Sequence, residues 1–346
     1  MTDKISIGVI GCGYWGFNHV RIFGEHPKCS LAWCSDLDQK ILHKINERYP
    51  SSKTTKEYKE ILDDKKVNAI CISSPAATHF DIAREAIENG KHVLIEKPLT
   101  TSSATAKKLV DLAAEKKVVL MPGHVYMFNP AVKKLKSIIS SGEIGDVHYV
   151  SAIRAGFGPI RKDVNAMWDL APHDIYTISH LLGGWPISVT ASGASFIRDG
   201  VEDVVFVSLR FNNGAIANIQ LSWINPTKTR LTSIVGSKKM IQYDDVTVAE
   251  KVKIYNKTVS KEYIHPTYAD FQLSLVDGDV YIPSIPAEEP LKNECDYFLD
   301  CVAASRGNNE LCADAVNTIA VLEAATRSLG NRSIEEKIEY PQMGAG

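Results

Sequence analysis

The sequence has no run of roughly eighteen apolar residues, so no segment of it reads as a membrane-spanning helix. It lacks an excess of charge of either sign: 39 Lys and Arg stand against 41 Asp and Glu in 346 residues, a net charge of −2. That balance excludes the electrostatic footprint of a chain whose main partner is nucleic acid or anionic lipid, and any anionic ligand must be met by a local cluster. The seven cysteines, Cys12, Cys29, Cys34, Cys71, Cys295, Cys301 and Cys312, are odd in number, scattered and never spaced as CxxC. Neither a disulfide framework nor a zinc site is signalled, and no metal is expected. There is no GxSxG, HExxH or P-loop, and no internal repeat. The opening MTDKISIGVIGCGYWG passes from charge into a strand-like run without the apolar core of a secretory signal, so a cytoplasmic, reduced protein is expected.

What is present is a change of texture. The first third alternates strand and helix patterns: Ile5 to Ile10, a glycine-rich turn, a helix from Phe17 to Glu25, a strand from Leu31 to Ser35, a helix from Gln39 to Tyr49. Further strands are read at Val67 to Ser73, His92 to Ile95 and Val118 to Met121, with helices at His79 to Asn89 and Thr101 to Lys116. This βαβ rhythm predicts a parallel sheet covered by helices, an α/β Rossmann domain over residues 1–123. After Gly123 a helix at Pro130 to Ser140 leads into strand-like runs, with Asn212-Asn213-Gly214 as a hairpin signal between Asp203 to Phe211 and Ala215 to Trp223. Strands are also expected at Arg230 to Val235, Met240 to Tyr243 and Val246 to Tyr255, and two late helices around Leu291 to Val302 and Val316 to Leu329. Residues 124–346 therefore read as an α+β domain with a largely antiparallel sheet.

Gly11-Cys12-Gly13-Tyr14-Trp15-Gly16 follows the first strand and opens a helix, the context that gives a GxGxxG match its meaning. Gly11 permits the turn, Gly13 lets backbone N–H groups approach a pyrophosphate, and Gly16 allows close helix packing. Asp36 lies twenty residues after Gly16, at the end of the second strand. Its carboxylate suits a ribose 2′-hydroxyl and repels a 2′-phosphate, so NAD is expected over NADP, although Lys40 lies one turn further on. Tyr14 and Trp15 are read as lining the mouth of the cofactor and substrate site.

Ligands of an open α/β sheet bind beyond the carboxyl ends of its strands. Three polar segments fall there: Ser73-Ser74-Pro75 with His79, Glu96-Lys97-Pro98, and Gly123-His124. Pro98 holds Lys97 extended at its strand end; as an isolated feature, a Lys-Pro is equally a surface turn. In the second domain Asp169 and His173 are four apart and share a helix face, with Pro172 acceptable only in the first turn. A histidine with a carboxylate partner is a general base near neutral pH, or else a structural His beside an N-cap Asp. Tyr49 and Lys53 match Tyr-x-x-x-Lys, but they lie before the sheet is complete and read as a chance match.

The glycine fingerprint, Ser74-Pro75 with His79, Glu96-Lys97-Pro98 and the Asp169 to His173 spacing together resemble the glucose-fructose oxidoreductase / inositol dehydrogenase / rhizopine catabolism family over essentially the whole chain. Gly123-His124 to Asn129-Pro130, Trp168 to Asp174, and Ser222 to Arg230 are similar to its nucleotide-sugar branch, which includes UDP-N-acetylglucosamine 3-dehydrogenases. Met167-Trp168 replace the Gly pair that many relatives carry before the Asp. The resemblance implies Lys97 and His173 as the catalytic pair with Asp169 beside them, an open sheet that forms a homodimer or homotetramer, and oxidation of a secondary sugar hydroxyl, at C3 in UDP-N-acetylglucosamine or its uronic acid. It implies a diphosphate or uronate as the partner of Arg161, Lys228 and Arg230. Arg154 belongs to the same expected anion site, Lys162 reads as a solvated charge, Asn165 is a candidate sugar contact, and Trp223 reads as core. The alternatives are a dehydrogenase or reductase of a free sugar, inositol or keto sugar, and a non-catalytic dinucleotide-binding regulator.

Overall fold

The computed structural model describes residues 4–161, 164–260, 274–307 and 309–343. It divides into two units: Met1–Phe128 with Glu289–Ala320 and Tyr340–Gly346, and Asn129–Glu288 with Val321–Glu339. The division falls five residues beyond Gly123, and the first unit also takes chain that a single cut at Gly123 assigns to the second.

In the first unit, β1 (Ile5–Ile10), α1 (Gly16–Glu25), β2 (Cys29–Ser35), α2 (Gln39–Arg48), β3 (Lys53–Thr55), α3 (Lys59–Asp63), β4 (Ala69–Ile72), α4 (His79–Glu88), β5 (His92–Glu96), α5 (Ser103–Lys116) and β6 (Leu120–Gly123) follow in order. The strands form a six-stranded, wholly parallel sheet in the order β3-β2-β1-β4-β5-β6. Strands buried on both faces read as continuous apolar runs, and every residue of β4 is buried. The chain runs outward from β1 to β3 and returns to β4 at β1's other side. The topological switch point thus lies between β1 and β4, where Gly11 and Ser73 follow their strands. The sequence pattern missed β3, which has no apolar residue.

Two helices, α8 (Pro290–Ala303) and α9 (Asn309–Gly330), come late in the chain. Leu291, Cys295, Phe298, Leu299 and Val302 of α8 join Val20, Phe23 and Cys71 in one core cluster, as their helical spacing predicts. All seven cysteines are free and buried.

In the second unit, α6 (Pro130–Ser140), β7 (Val147–Phe157), α7 (Ala166–Leu182), β8 (Pro186–Ala194), β9 (Val204–Phe211), β10 (Ile216–Ser222), β11 (Ile224–Gly236), β12 (Met240–Asp244), β13 (Val252–Ser260), β14 (Ser274–Tyr281) and β15 (Glu336–Lys337) build a nine-stranded sheet, β14-β13-β12-β11-β7-β10-β9-β8-β15. Its neighbours are antiparallel except β7 and β10. β9 shows why one face is covered: Val205, Val207, Leu209 and Phe211 are buried while Phe206, Ser208 and Arg210 between them are exposed. The hairpin at Asn212-Asn213-Gly214 joins β9 to β10 as expected. The strand expected from Val246 begins instead at Val252. The Asp244 carboxylate accepts from the Val246 amide at 2.9 Å and from the Thr247 hydroxyl at 2.9 Å, which makes the stretch a turn.

Helix α7 departs from expectation at Pro172. The helix starts at Ala166, capped by Asn165, so Pro172 is its seventh residue and lies beyond the first turn. An interior proline removes one i to i−4 bond at a cost of about 3 kcal/mol. Burial of Ala171, Ile175, Tyr176 and Ile178 offsets it, and, two residues on, Arg154 of β7 grips Asp174 through Nε at 2.6 Å and Nη2 at 3.0 Å, both side chains 8 % exposed. Among the described residues no helix is long and apolar enough to cross a membrane.

Arg154→Met leaves the Asp174 carboxylate buried without its fork, and the expected loss is about 3–5 kcal/mol of unfolding free energy in urea. The double variant Arg154→Met, Asp174→Leu is expected to recover most of it, and a single variant within 1 kcal/mol of wild type contradicts the assignment.

Candidate active site

The first unit builds a dinucleotide cradle. Gly11 has φ +83°, and a Cβ placed there would meet the Ser74 backbone nitrogen at 2.5 Å. A Cβ on Gly16 would lie 1.9 Å from the Gly11 carbonyl oxygen, so helix and turn touch backbone to backbone. On Gly13 a Cβ would meet nothing within 4 Å: that side of the turn is open to a ligand. No side chain caps α1 and no acidic residue stands in its first turn, which leaves its positive end for an anion. Asp36 sits at this turn, half-buried, its Oδ2 accepting from the Cys12 amide at 2.8 Å and its Oδ1 from the Asp38 amide at 2.9 Å. Its remaining lone pairs suit the two hydroxyls of an adenosine ribose. Backbone donors for a pyrophosphate and a fixed carboxylate for the ribose are the residues NAD requires.

The three strand-end segments surround this turn. Ser73 Oγ donates to the Gly11 carbonyl at 2.6 Å, and Ser74 Oγ shares a hydrogen bond with Thr78 Oγ1 at 2.8 Å. Pro75 opens the short turn 76–78. His79 is buried, with Nδ1 2.9 Å from the Pro98 carbonyl and Nε2 2.9 Å from the Ser74 carbonyl. Burial pushes its pKa below the ordinary histidine value. A neutral ring donates from one nitrogen only, so His79 bonds one of these two carbonyls, the one after β4 or the one after β5, and packs against the other. Burial also lowers His124, after β6, to about 4. Tyr14 is almost wholly exposed; Trp15 is partly so, and its indole N–H donates to Glu96. Lys97 is half-buried at the end of β5, and its peptide bond to Pro98 is cis.

The second unit carries the proposed acid/base helix. Asn165 caps α7, its Oδ1 accepting from the Trp168 amide at 3.0 Å while its Nδ2 donates to Glu202 at 2.7 Å. Asp169 stands in the first turn and His173 one turn later, both half-buried. The residue that the sequence left to the core matters here. Trp223 is only 3 % exposed, yet its indole N–H donates to Asp169 Oδ2 at 3.1 Å. The bond crosses 54 residues of sequence, and its only sequence signal is the polar stretch Ser222 to Arg230 in which Trp223 sits.

Of the expected anion-binding cations, Arg154 is held by Asp174, and Arg230 Nη1 lies 3.3 Å from Asp245, whose other oxygen accepts from Tyr243 at 2.8 Å. Arg161 and Lys228 are exposed. Lys228 lies where β11 loses register with β7 between Ile224 and Thr229, and its Cα faces Gly156. Lys162 lies outside the described residues.

Comparison with known proteins agrees with this geometry. Residues 5–124 match the oxidoreductase family with an NAD-binding Rossmann fold, and residues 132–242 match the GFO/IDH/MocA C-terminal domain. The chain is 29% identical over 260 residues to the UDP-N-acetylglucosamine 3-dehydrogenase of Acidithiobacillus ferrooxidans, covering 75% of this chain and 77% of that one. It is 27% identical over 237 residues to the scyllo-inositol 2-dehydrogenase (NAD(+)) of Bacillus subtilis, covering 65% and 69%. Among solved structures, GenD2 from gentamicin A biosynthesis in complex with NAD is similar with a TM-score of 0.82 and 25% identity, over 98% of this chain and 97% of that chain. The fold, the cradle and these likenesses lead to one conclusion: the chain belongs to the Gfo/Idh/MocA family and is an NAD-dependent sugar or polyol oxidoreductase.

Proposed function

We propose that this enzyme oxidises a secondary ring hydroxyl of a nucleotide sugar, at C3 of UDP-N-acetylglucosamine or its uronic acid. NAD held on the Gly11 to Gly16 turn and Asp36 would supply the hydride acceptor. His173 takes the hydroxyl proton as general base, Asp169 orients its ring, and Lys97 donates to the oxygen as alkoxide charge develops. The observation that carries this reading is the Trp223 to Asp169 hydrogen bond, which fixes the carboxylate one helical turn ahead of the histidine. The exposed Lys228, placed where β11 loses register with β7, favours a phosphorylated substrate over uncharged inositol. Arg154 and Asn165 serve this reading as supports of α7 and not as substrate ligands, since their polar groups hold Asp174, Trp168 and Glu202.

We further read the outer face of the nine-stranded sheet as a contact between copies of the chain, making a homodimer or homotetramer. Tyr149, Phe206 and Ile216 lie on that face, 44 %, 44 % and 49 % exposed, and the pairings of Ile216 with Tyr149 and with Arg210 place them on one side.

Three outcomes test these readings. NAD reduction is expected with UDP-N-acetylglucosamine or its uronic acid and not with myo- or scyllo-inositol; the reverse preference overturns the nucleotide-sugar reading, and failure of every alcohol revives the dinucleotide-binding regulator. His173→Ala is expected to lose about 10²–10⁴-fold in kcat with NAD affinity retained, and Lys97→Ala to lower kcat as well as substrate affinity. Near-normal turnover removes either residue from the reaction. In light scattering, the double variant Phe206→Glu, Ile216→Glu is expected to fall to a lower-order assembly, and an unchanged mass rejects the face.

A further inference from the structure

Both carboxylate oxygens of Glu96 are bonded within the first unit. Its side chain is 12 % exposed, and that of His19 beside it is 0 % exposed. Oε1 accepts from the Trp15 indole and lies 2.8 Å from His19 Nε2, while Oε2 accepts from the Lys97 amide at 3.3 Å. Trp15 and His19 are four apart, the last residue before α1 and the first residue of its second turn. One carboxylate thus spans the helix start that the glycine turn opens. The other side of the His19 ring faces Cys295 Sγ at 3.7 Å, and the ring stacks on Phe23. Gly123 presses on Glu96 from the neighbouring strand: a Cβ there would come 3.2 Å from Glu96 Cα and 3.3 Å from Oε2.

The groups around this carboxylate are Trp15 just before α1, His19 of α1, Lys97 beside it, His124 after β6, Cys71 of β4 and Glu294 of α8. Burial pushes Glu96 toward the neutral form, but the His19 and Trp15 hydrogen bonds and the Lys97 charge outweigh it and hold the group below the usual range. Glu294 is fully buried, and neither of its oxygens has a hydrogen-bond partner among the described residues. Burial and the Glu96 charge push its carboxyl well above the usual range.

We propose that Glu96 is a positioning residue that couples dinucleotide docking on the glycine turn to the setting of Lys97, by bonding the start of α1 and the Lys97 amide through one carboxylate. The coupling bears on catalysis through the role read for Lys97 above. It is itself visible without turnover. The Lys97 charge acts on the adjacent Glu96 carboxylate, and the effect is mutual, so removing the carboxylate's charge is expected to lower the lysine's pKa.

The test measures the pH dependence of Lys97 acetylation by mass spectrometry, with and without NAD, alongside NAD affinity by calorimetry. In Glu96→Gln the Lys97 titration is expected to move down by about 1 pH unit and NAD affinity to fall about 10-fold. In Trp15→Phe, a change at a partly exposed position that the fold tolerates, NAD affinity is expected to fall about 5-fold, and NAD is expected to alter Lys97 labelling less than in wild type. A Lys97 titration that Glu96→Gln leaves in place, or, should that variant fail to fold, NAD affinity and labelling unchanged in Trp15→Phe, overturns the coupling. Lys97→Ala separates the two readings: retained turnover there rejects Lys97 as a catalytic group, while the labelling result still decides the coupling.

Discussion

The dinucleotide cradle depends on how closely the start of α1 can approach the end of β1. A Cβ on Gly16 would overlap the Gly11 carbonyl oxygen, and one on Gly11 would overlap the backbone at Ser74. Only hydrogen in those places lets the helix start lie against the sheet between β1 and β4. That approach puts a helix terminus without a side-chain cap at the switch point of the sheet, where its amides are available to an anion. Cys12, whose amide bonds to Asp36, belongs to the same turn, so pyrophosphate and ribose sites form together.

Buried charge then divides into two kinds of work. The Arg154 and Asp174 pair is bidentate and sealed, and it anchors α7 against β7 where Pro172 weakens the helix ladder. Its contribution is to shape, since well-packed apolar residues could replace such a pair at little loss. Glu96 differs because its charge is not sealed within one partner. It faces the helix of the glycine turn on one side and the lysine of the strand end on the other, so its state bears on both.

The features legible in the sequence were those set by near neighbours in the chain. The GxGxxG turn, the strands around it, the hairpin at Asn212-Asn213-Gly214 and the apolar spacing of α8 all follow from local geometry and periodicity. What escaped depends on partners far along the chain. Trp223 reads as an apolar bulk until Asp169 is seen at its indole, and Arg154 reads as a ligand for anions until Asp174 is seen at its fork. β14, for which no strand was expected, carries Asp277-Gly278-Asp279. It is held extended by pairing with β13, where Lys257 meets Asp277 at 2.9 Å. His79 looked like a cofactor contact because it follows a strand end, yet it is enclosed by two carbonyls of its own unit.

The central claim is that the chain moves a hydride from a sugar carbon to bound NAD. Its most direct measurement is the fate of deuterium: UDP-N-acetylglucosamine labelled at C3, incubated with enzyme and NAD, and the product dinucleotide read by NMR. The account predicts deuterium at C4 of the reduced nicotinamide on one face of the ring. Reduced dinucleotide without deuterium at C4 would contradict oxidation at C3, and no reduction with any labelled sugar or polyol would contradict hydride transfer altogether.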